Sequence, residues 1–206
     1  RSMRDALVPR LPVSQRSGPH LLAVDMAPAL RMETAKDYAD WTARLQSFGT
    51  FTDQVIALMR EGMASGWVPP KAVMQRVPAQ IAAQRVASAE QSSFYAPFLA
   101  MSDAVPAGEQ AVLQAQARAA VSDVVLPALA RFETFFNSEY LPATVDSVAT
   151  GDLPQGQAYY DHLARTYTTT DLSADQIHAI GLKEVARIRG EMEALREEVG
   201  FKGDLA

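Results

Sequence analysis

Apolar residues in this chain recur at three- and four-residue intervals almost throughout, and no stretch of useful length alternates apolar with polar. A period near 3.6 lines residues along one face of a helix, whereas a half-buried strand needs a period of two. The pattern therefore restricts the fold to an all-α, multi-helix bundle with long, partly kinked helices. No tandem repeat or low-complexity tract points elsewhere. At 206 residues, 48% hydrophobic and 21% charged, the chain is large enough to bury the core of one domain or of two small helical subdomains.

The punctuation of that pattern sets the expected elements. Residues 1–33 carry Pro9, Pro12, Gly18 and Pro19 among Ser residues, which disfavour helix, so they read as an extended lead-in. A helical domain is expected over 34–206. Thr34 with Asp37 three residues on is a helix start, followed by Tyr38, Trp41, Leu45 and Phe48 at helical spacing. Thr50 with Asp53 repeats the signal ahead of Phe51, Val55, Leu58, Met59 and Met63, which predicts a second, antiparallel helix ending at Gly66. Pro69-Pro70 opens a third, with Val73, Val77 and Ile81 inward and a bend at Pro78. The Ala-, Gln-, Leu- and Val-rich run from Pro106 to Tyr140 predicts one long helix, kinked at Pro127 and ended by Leu141-Pro142. A subdomain break is expected within 141–156. Beyond it, Tyr159, Tyr160, Leu163 and Tyr167 share a helical face. A last helix starts at Ser173, boxed by Gln176, with Ile177, Ile180, Ile188, Met192, Leu195 and Val199 on its buried stripe.

Several function classes are excluded or disfavoured by residue type. The net charge of −5 is spread over interspersed acids and bases, with no Lys/Arg run to neutralise a row of phosphates, so nucleic acid is not an expected partner. No apolar run approaches the roughly 20 residues of a membrane span. Absence of cysteine removes disulfides, thiolate metal sites and a Cys nucleophile, and leaves both cytoplasm and periplasm open as compartments. There is no G-x-S-x-G elbow and no Gly-rich phosphate loop between strand and helix. The three histidines, His20, His162 and His178, have no His or carboxylate four residues away, the spacing at which a helix converges two ligands on one metal. No catalytic residue and no metal ligand is expected in the chain itself.

Two features invite a binding role. Projected at about 100° per residue, Glu184 falls inside the apolar stripe of the last helix, between Ile180 and Ile188, with Glu191 at the edge. A carboxylate there is costly unless it meets an Arg of a neighbouring helix, a hydroxyl donor, or a ligand in a cleft. The second feature is the hydroxyl-rich cluster Tyr159-Tyr160 and Tyr167 to Asp171. Its polar groups suit a peptide backbone, while Tyr at helical spacing equally suits a core and Thr170 or Asp171 a turn before Ser173.

The order of segments carries a resemblance. Leu153-Pro154-Gln155-Gly156-Gln157-Ala158-Tyr159-Tyr160, then Thr168 to Ser173, then Ile177 to Ile188 with Glu191-Met192, together resemble the bacterial domain-of-unknown-function 885 family. So do Asp37-Tyr38, Arg44-Leu45, Met59-Arg60-Glu61-Gly62, Gly66 and Pro69-Pro70. Members of that family are similar to zinc-dependent peptidases with an H-E-x-x-H-type helix and a downstream Glu in a deep cleft of a mostly helical fold. This chain holds no His-Glu pair, so none of those ligands transfers to it. The resemblance implies a non-catalytic portion, a helical cleft wall, of a longer zinc peptidase. Zinc would then be a cofactor of the full-length parent only. Its partners would be a peptide substrate and the remainder of the parent polypeptide, with Tyr159, Tyr160 and Glu184 as candidate substrate-binding residues. The competing reading is a stand-alone helical interaction module whose exposed aromatic and Met residues bind a partner protein.

Overall fold

The structure, a computed structural model, describes residues 10–204. It is all-α, with only two isolated β-bridges among those residues. The chain divides between Ala149 and Thr150 into two compact units.

The first unit is built on helix α2, Ala35–Ser65, preceded by a short α1, Leu22–Met26. Thr34 and Asp37 form a reciprocal capping box at the start of α2, and Gly66, at φ 72°, closes its end in the left-handed region that glycine adopts without strain. The helix is unbroken, so the expected pair of antiparallel helices around Thr50 is replaced by a single one. The buried positions Tyr38, Trp41, Leu45, Phe48, Thr52, Val55, Met59 and Gly62 keep alternating three- and four-residue steps straight through Gly49-Thr50. A turn there would have thrown that stripe out of phase. Thr52, polar by type, is fully buried because its hydroxyl donates to the Phe48 carbonyl at 2.9 Å.

Alongside α2 and in the same direction runs a second long helical stretch. It comprises α5, Ala107–Ala120, and α6, Leu126–Phe135. Gly49 faces Val124, Asp53 pairs with Arg131, and Arg60 with Glu139, which fixes the parallel register. Each α segment continues into one wide π turn, Val121–Val125 and Phe136–Tyr140. Both π turns are closed by the residue before a proline: Leu126 N–H donates to Val121 O, and Leu141 N–H to Phe136 O, five residues back. Pro127 and Pro142 have no N–H and would press on the carbonyl four residues earlier, so widening the preceding turn relieves the clash without ending the helix at Pro127. After Pro142 the chain leaves helical geometry at Thr144.

Parallel neighbours need a long crossover, and residues 66–106 supply it. Two short helices, α3 Lys71–Met74 and α4 Val77–Ala82, replace the single bent helix expected here, because Pro78 fits the first turn of a new helix better than the interior of an old one. The crossover seats Met74, Val77 and Ile81 against Val55, Met59, Phe132 and Phe136. Its later part seats Phe94 and Phe98 against Tyr38, Trp41 and Phe48. Trp41 Nε1 donates to Phe94 O at 3.0 Å, stapling the two. At the far end Lys71 N donates to Val145 O at 2.7 Å, within a parallel bridge between Pro70 and Val145.

The lead-in is not simply extended. Residues 1–9 of that expected segment lie outside the described residues; from Val13 onward it is docked. Val13, His20 and Ala23 are buried, and Ser14 and Ser17 exchange backbone hydrogen bonds across a tight turn. Apolar side chains spaced along a Pro/Gly-rich segment have thus found the core, which its composition does not disclose.

The second unit contains α7, Gly156–Thr168, and α8, Ala174–Glu198. A Cβ on Gly156 would collide with the Thr150 carbonyl oxygen, so only glycine lets the turn fold back here. Ser173 and Gln176 form the expected capping box. The expected buried stripe of α8 is not buried: Ile180, Ile188, Met192, Leu195 and Val199 are 46–66% exposed, and no residue of the helix is fully covered. No helix among the described residues is long and apolar enough to cross a membrane.

Candidate functional site

The three candidate residues, Tyr159, Tyr160 and Glu184, all lie in the second unit. Tyr159 and Tyr160 are on α7, the first partly covered and the second 49% exposed. The Tyr160 hydroxyl has no hydrogen-bond partner among the described residues and is free to meet one. Glu184, on α8, does not meet an Arg of a neighbouring helix. Its partner is Arg187 one turn along, Nε to Oε2 2.8 Å, and the same guanidinium reaches Glu191 at 2.6 Å. Its carboxylate is about half exposed, so water and Arg187 remove the penalty expected of a buried acid. Among the described residues no hydrogen bond or ion pair joins Glu184 to Tyr160.

The neighbouring hydroxyls are used locally. Thr168 and Thr170 Oγ1 atoms lie 2.9 Å apart, Thr170 N donates to Thr168 Oγ1, and Leu172 N to Thr170 Oγ1. They build the turn between α7 and Ser173, the alternative that the sequence left open for them.

The histidines fall in three settings. His178 is exposed and His162 partly covered on separate helices. His20, in the first unit, is wholly buried, stacked on Phe132, with Nε2 3.3 Å from Gln80 Oε1. Burial pushes its pKa below the ordinary value, against the opposing effects of the Gln80 hydrogen bond and Asp25. Among the described residues no three His, Asp or Glu side chains converge as a metal would require, so the donor set does not fit zinc.

Two concave surfaces on the first unit were not anticipated. One, of about 380 Å³, lies between α1 and α2 and is lined by Leu22, Met26, Leu45, Phe48 and Phe51, with Arg44 among them. Arg44 makes no ion pair among the described residues, which leaves a guanidinium available to a carboxylate beside an apolar wall. The adjacent Arg44-Leu45, a charge beside a core position, was the only sign of it in the sequence. The other, about 590 Å³, runs between α2 and α6 and is crossed by the Asp53–Arg131 and Arg60–Glu139 pairs. Arg60 also lies over the Phe135 ring at 4.9 Å and holds the Glu139 carboxyl below its usual range through their hydrogen bond. Those charges satisfy one another. Neither surface brings a nucleophile to a base, so what both offer is binding and support.

Across residues 1–206 the sequence matches a bacterial protein family of unknown function, DUF885. Comparison with curated proteins returns no match. Among solved structures, the chain is similar to a crystal structure from Colwellia psychrerythraea whose protein is designated a lipoprotein. The TM-score is 0.78 at 28% identity, covering 93% of this chain and 33% of that one. The chain thus spans about a third of the length of that relative.

Proposed function

The chain belongs to the bacterial family DUF885, and from that membership we propose that it forms the non-catalytic helical portion of a zinc-dependent peptidase. The observation that carries the reading is the span: the family match runs the full length of the chain, yet the fold shared with the Colwellia protein is only a third of that protein. Chemistry that the described residues do not assemble would then belong to the remaining chain. No step of hydrolysis is assigned to residues here, because their donors do not fit a metal. Their part would be to form cleft wall and to hold a peptide: the unengaged Tyr160 hydroxyl can donate to a peptide carbonyl, Tyr159 can brace it, and Glu184 can accept from a peptide N–H or amine.

A second reading, a stand-alone interaction module, draws on the exposed apolar row of α8. The parent reading frame separates the two, since a downstream H-E-x-x-H is required by the first and a stop after Ala206 by the second. On the longer polypeptide, peptide turnover that is lost on chelation is the expected result. Tyr160→Phe and Glu184→Gln should lower it while zinc content and thermal melt stay unchanged. Unchanged turnover in both variants removes these residues from the site. Zinc-independent hydrolysis by the 206-residue chain overturns the reading.

A further inference from the structure

Helix α8 poses a physical problem in its own right. It spans 25 residues and none is buried. Helices in proteins owe most of their stability to packing of an apolar face, and an isolated one is marginal in water. At about 100° per residue, the exposed Ile180, Ile188, Met192, Leu195 and Val199 and the partly covered Ile177 fall within a sector of roughly 120°, the width of a face that normally meets a core, with the exposed Val185 and Leu182 flanking it. Gly181 lies on that same face with open space where a Cβ would stand, although glycine in a helix interior costs about 1 kcal/mol relative to alanine. A gap of this kind lets a second backbone come close.

We infer that the Ile177–Val199 face of α8 is an interface for a helix from the remaining part of a longer polypeptide, one with an apolar stripe and a basic residue placed to meet Glu184. Charge decides the basic residue. Glu184 lies inside the face, Glu191 toward its edge and Arg187 just outside it, and the three form one chain of ion pairs, two carboxylates to one guanidinium, and so carry a net negative charge. The same triplet argues against a second copy as occupant. It sits near the middle of the face, so two α8 helices packed symmetrically would bring two net-negative groups together. Chain length supplies the occupant: the relative with this fold has about two thirds of its sequence outside the shared region.

This inference rests on the proposed function only in taking the chain as part of a longer polypeptide, and its test does not use hydrolysis. Hydrogen exchange is followed through α8 in the 206-residue chain and in the longer polypeptide. The expected result is at least tenfold slower exchange in the longer one. Ile188→Asp combined with Leu195→Asp should abolish that difference while leaving exchange in α2 of the 206-residue chain unchanged. Equal exchange in the two proteins overturns the inference. So does protection in the 206-residue chain that grows with its concentration, which would mark a second copy, and so does a reading frame that stops at Ala206. Protection without peptide hydrolysis would leave the interface standing and defeat the peptidase reading; hydrolysis with α8 unprotected would do the reverse.

Discussion

The imidazole of His20 stacks on the ring of Phe132, centroids 6.0 Å apart and planes inclined by 20°. Wholly buried, with Nδ1 lacking a partner, it folds as the neutral ring, and burial sets its pKa below 6.5. Between the folded and unfolded pKa values the unfolded chain binds more protons, so stability rises with pH. The contribution is fully present above about pH 6.5 and is lost as pH falls through the folded pKa. Thermal melts of the wild type should drop between pH 7 and pH 5, and His20→Gln should flatten that slope. The carboxyls held low by partners, Glu90 at about 2 and Glu139 below its ordinary range, titrate under this window and leave it to His20. Equal slopes in the two proteins would contradict the assignment.

Gly62 and Gly108 should respond oppositely to alanine. A Cβ on Gly62 would lie 2.7 Å from both Arg10 O and Trp67 O, two backbone atoms that cannot swing aside. Gly62→Ala is expected to cost about 1–3 kcal/mol through forced backbone shifts. Gly108, in the first turn of α5, has nothing within 4 Å, and Gly108→Ala should be neutral or stabilising by roughly 0.5 kcal/mol. Urea midpoints of the two variants on either side of the wild type are the expected outcome.

Trp41 holds the crossover by one buried bond, Nε1–H to Phe94 O. Trp41→Phe removes the donor and leaves a buried carbonyl unpaired, a loss of about 1–3 kcal/mol beyond any packing defect. Exchange of crossover amides around Phe94 and Phe98 should accelerate together with the fall in denaturation midpoint. A stable Trp41→Phe variant with unchanged exchange would show that the staple contributes nothing.

Which of these features could be read in advance follows from the range of the forces behind them. Both capping boxes, Thr34 with Asp37 and Ser173 with Gln176, were legible because each is closed within four residues. The helical run from Ala107 to Tyr140 was legible from its period, whereas its π turns arise from a clash between Pro127 or Pro142 and a carbonyl a turn earlier. Thr50 misled because a start signal is local, while the continuity of α2 depends on the phase of Thr52, buried by a bond to Phe48 O that residue type does not announce. Glu184 was correctly placed on the apolar face of its helix. Its partner and exposure were not, since periodicity says which side chains share a face and nothing of what packs there. The Arg44 cleft and the His20 pocket depend on segments brought together across the chain, and no spacing rule encodes them.

The two capping boxes make the last prediction, because the same chemistry sits on helices in opposite situations. Thr34 starts α2, whose inward face is buried along its length, and Ser173 starts α8, which has no fully covered residue. Loss of either cap costs about 1 kcal/mol. In α2 that cost falls on a cooperative core, so Thr34→Ala should lower the unfolding free energy of the first unit by that amount, read as a lower denaturation midpoint, with little change in native helicity. In α8 no fully buried face absorbs it, so Ser173→Ala should reduce far-ultraviolet helicity directly and speed exchange from Ala174 onward, while the melt of the first unit stays in place. Alanine at 173 that left helicity and exchange unchanged would mean that α8 is held by contacts other than its own cap, and the account of its apolar face as uncovered in this chain would fail with it.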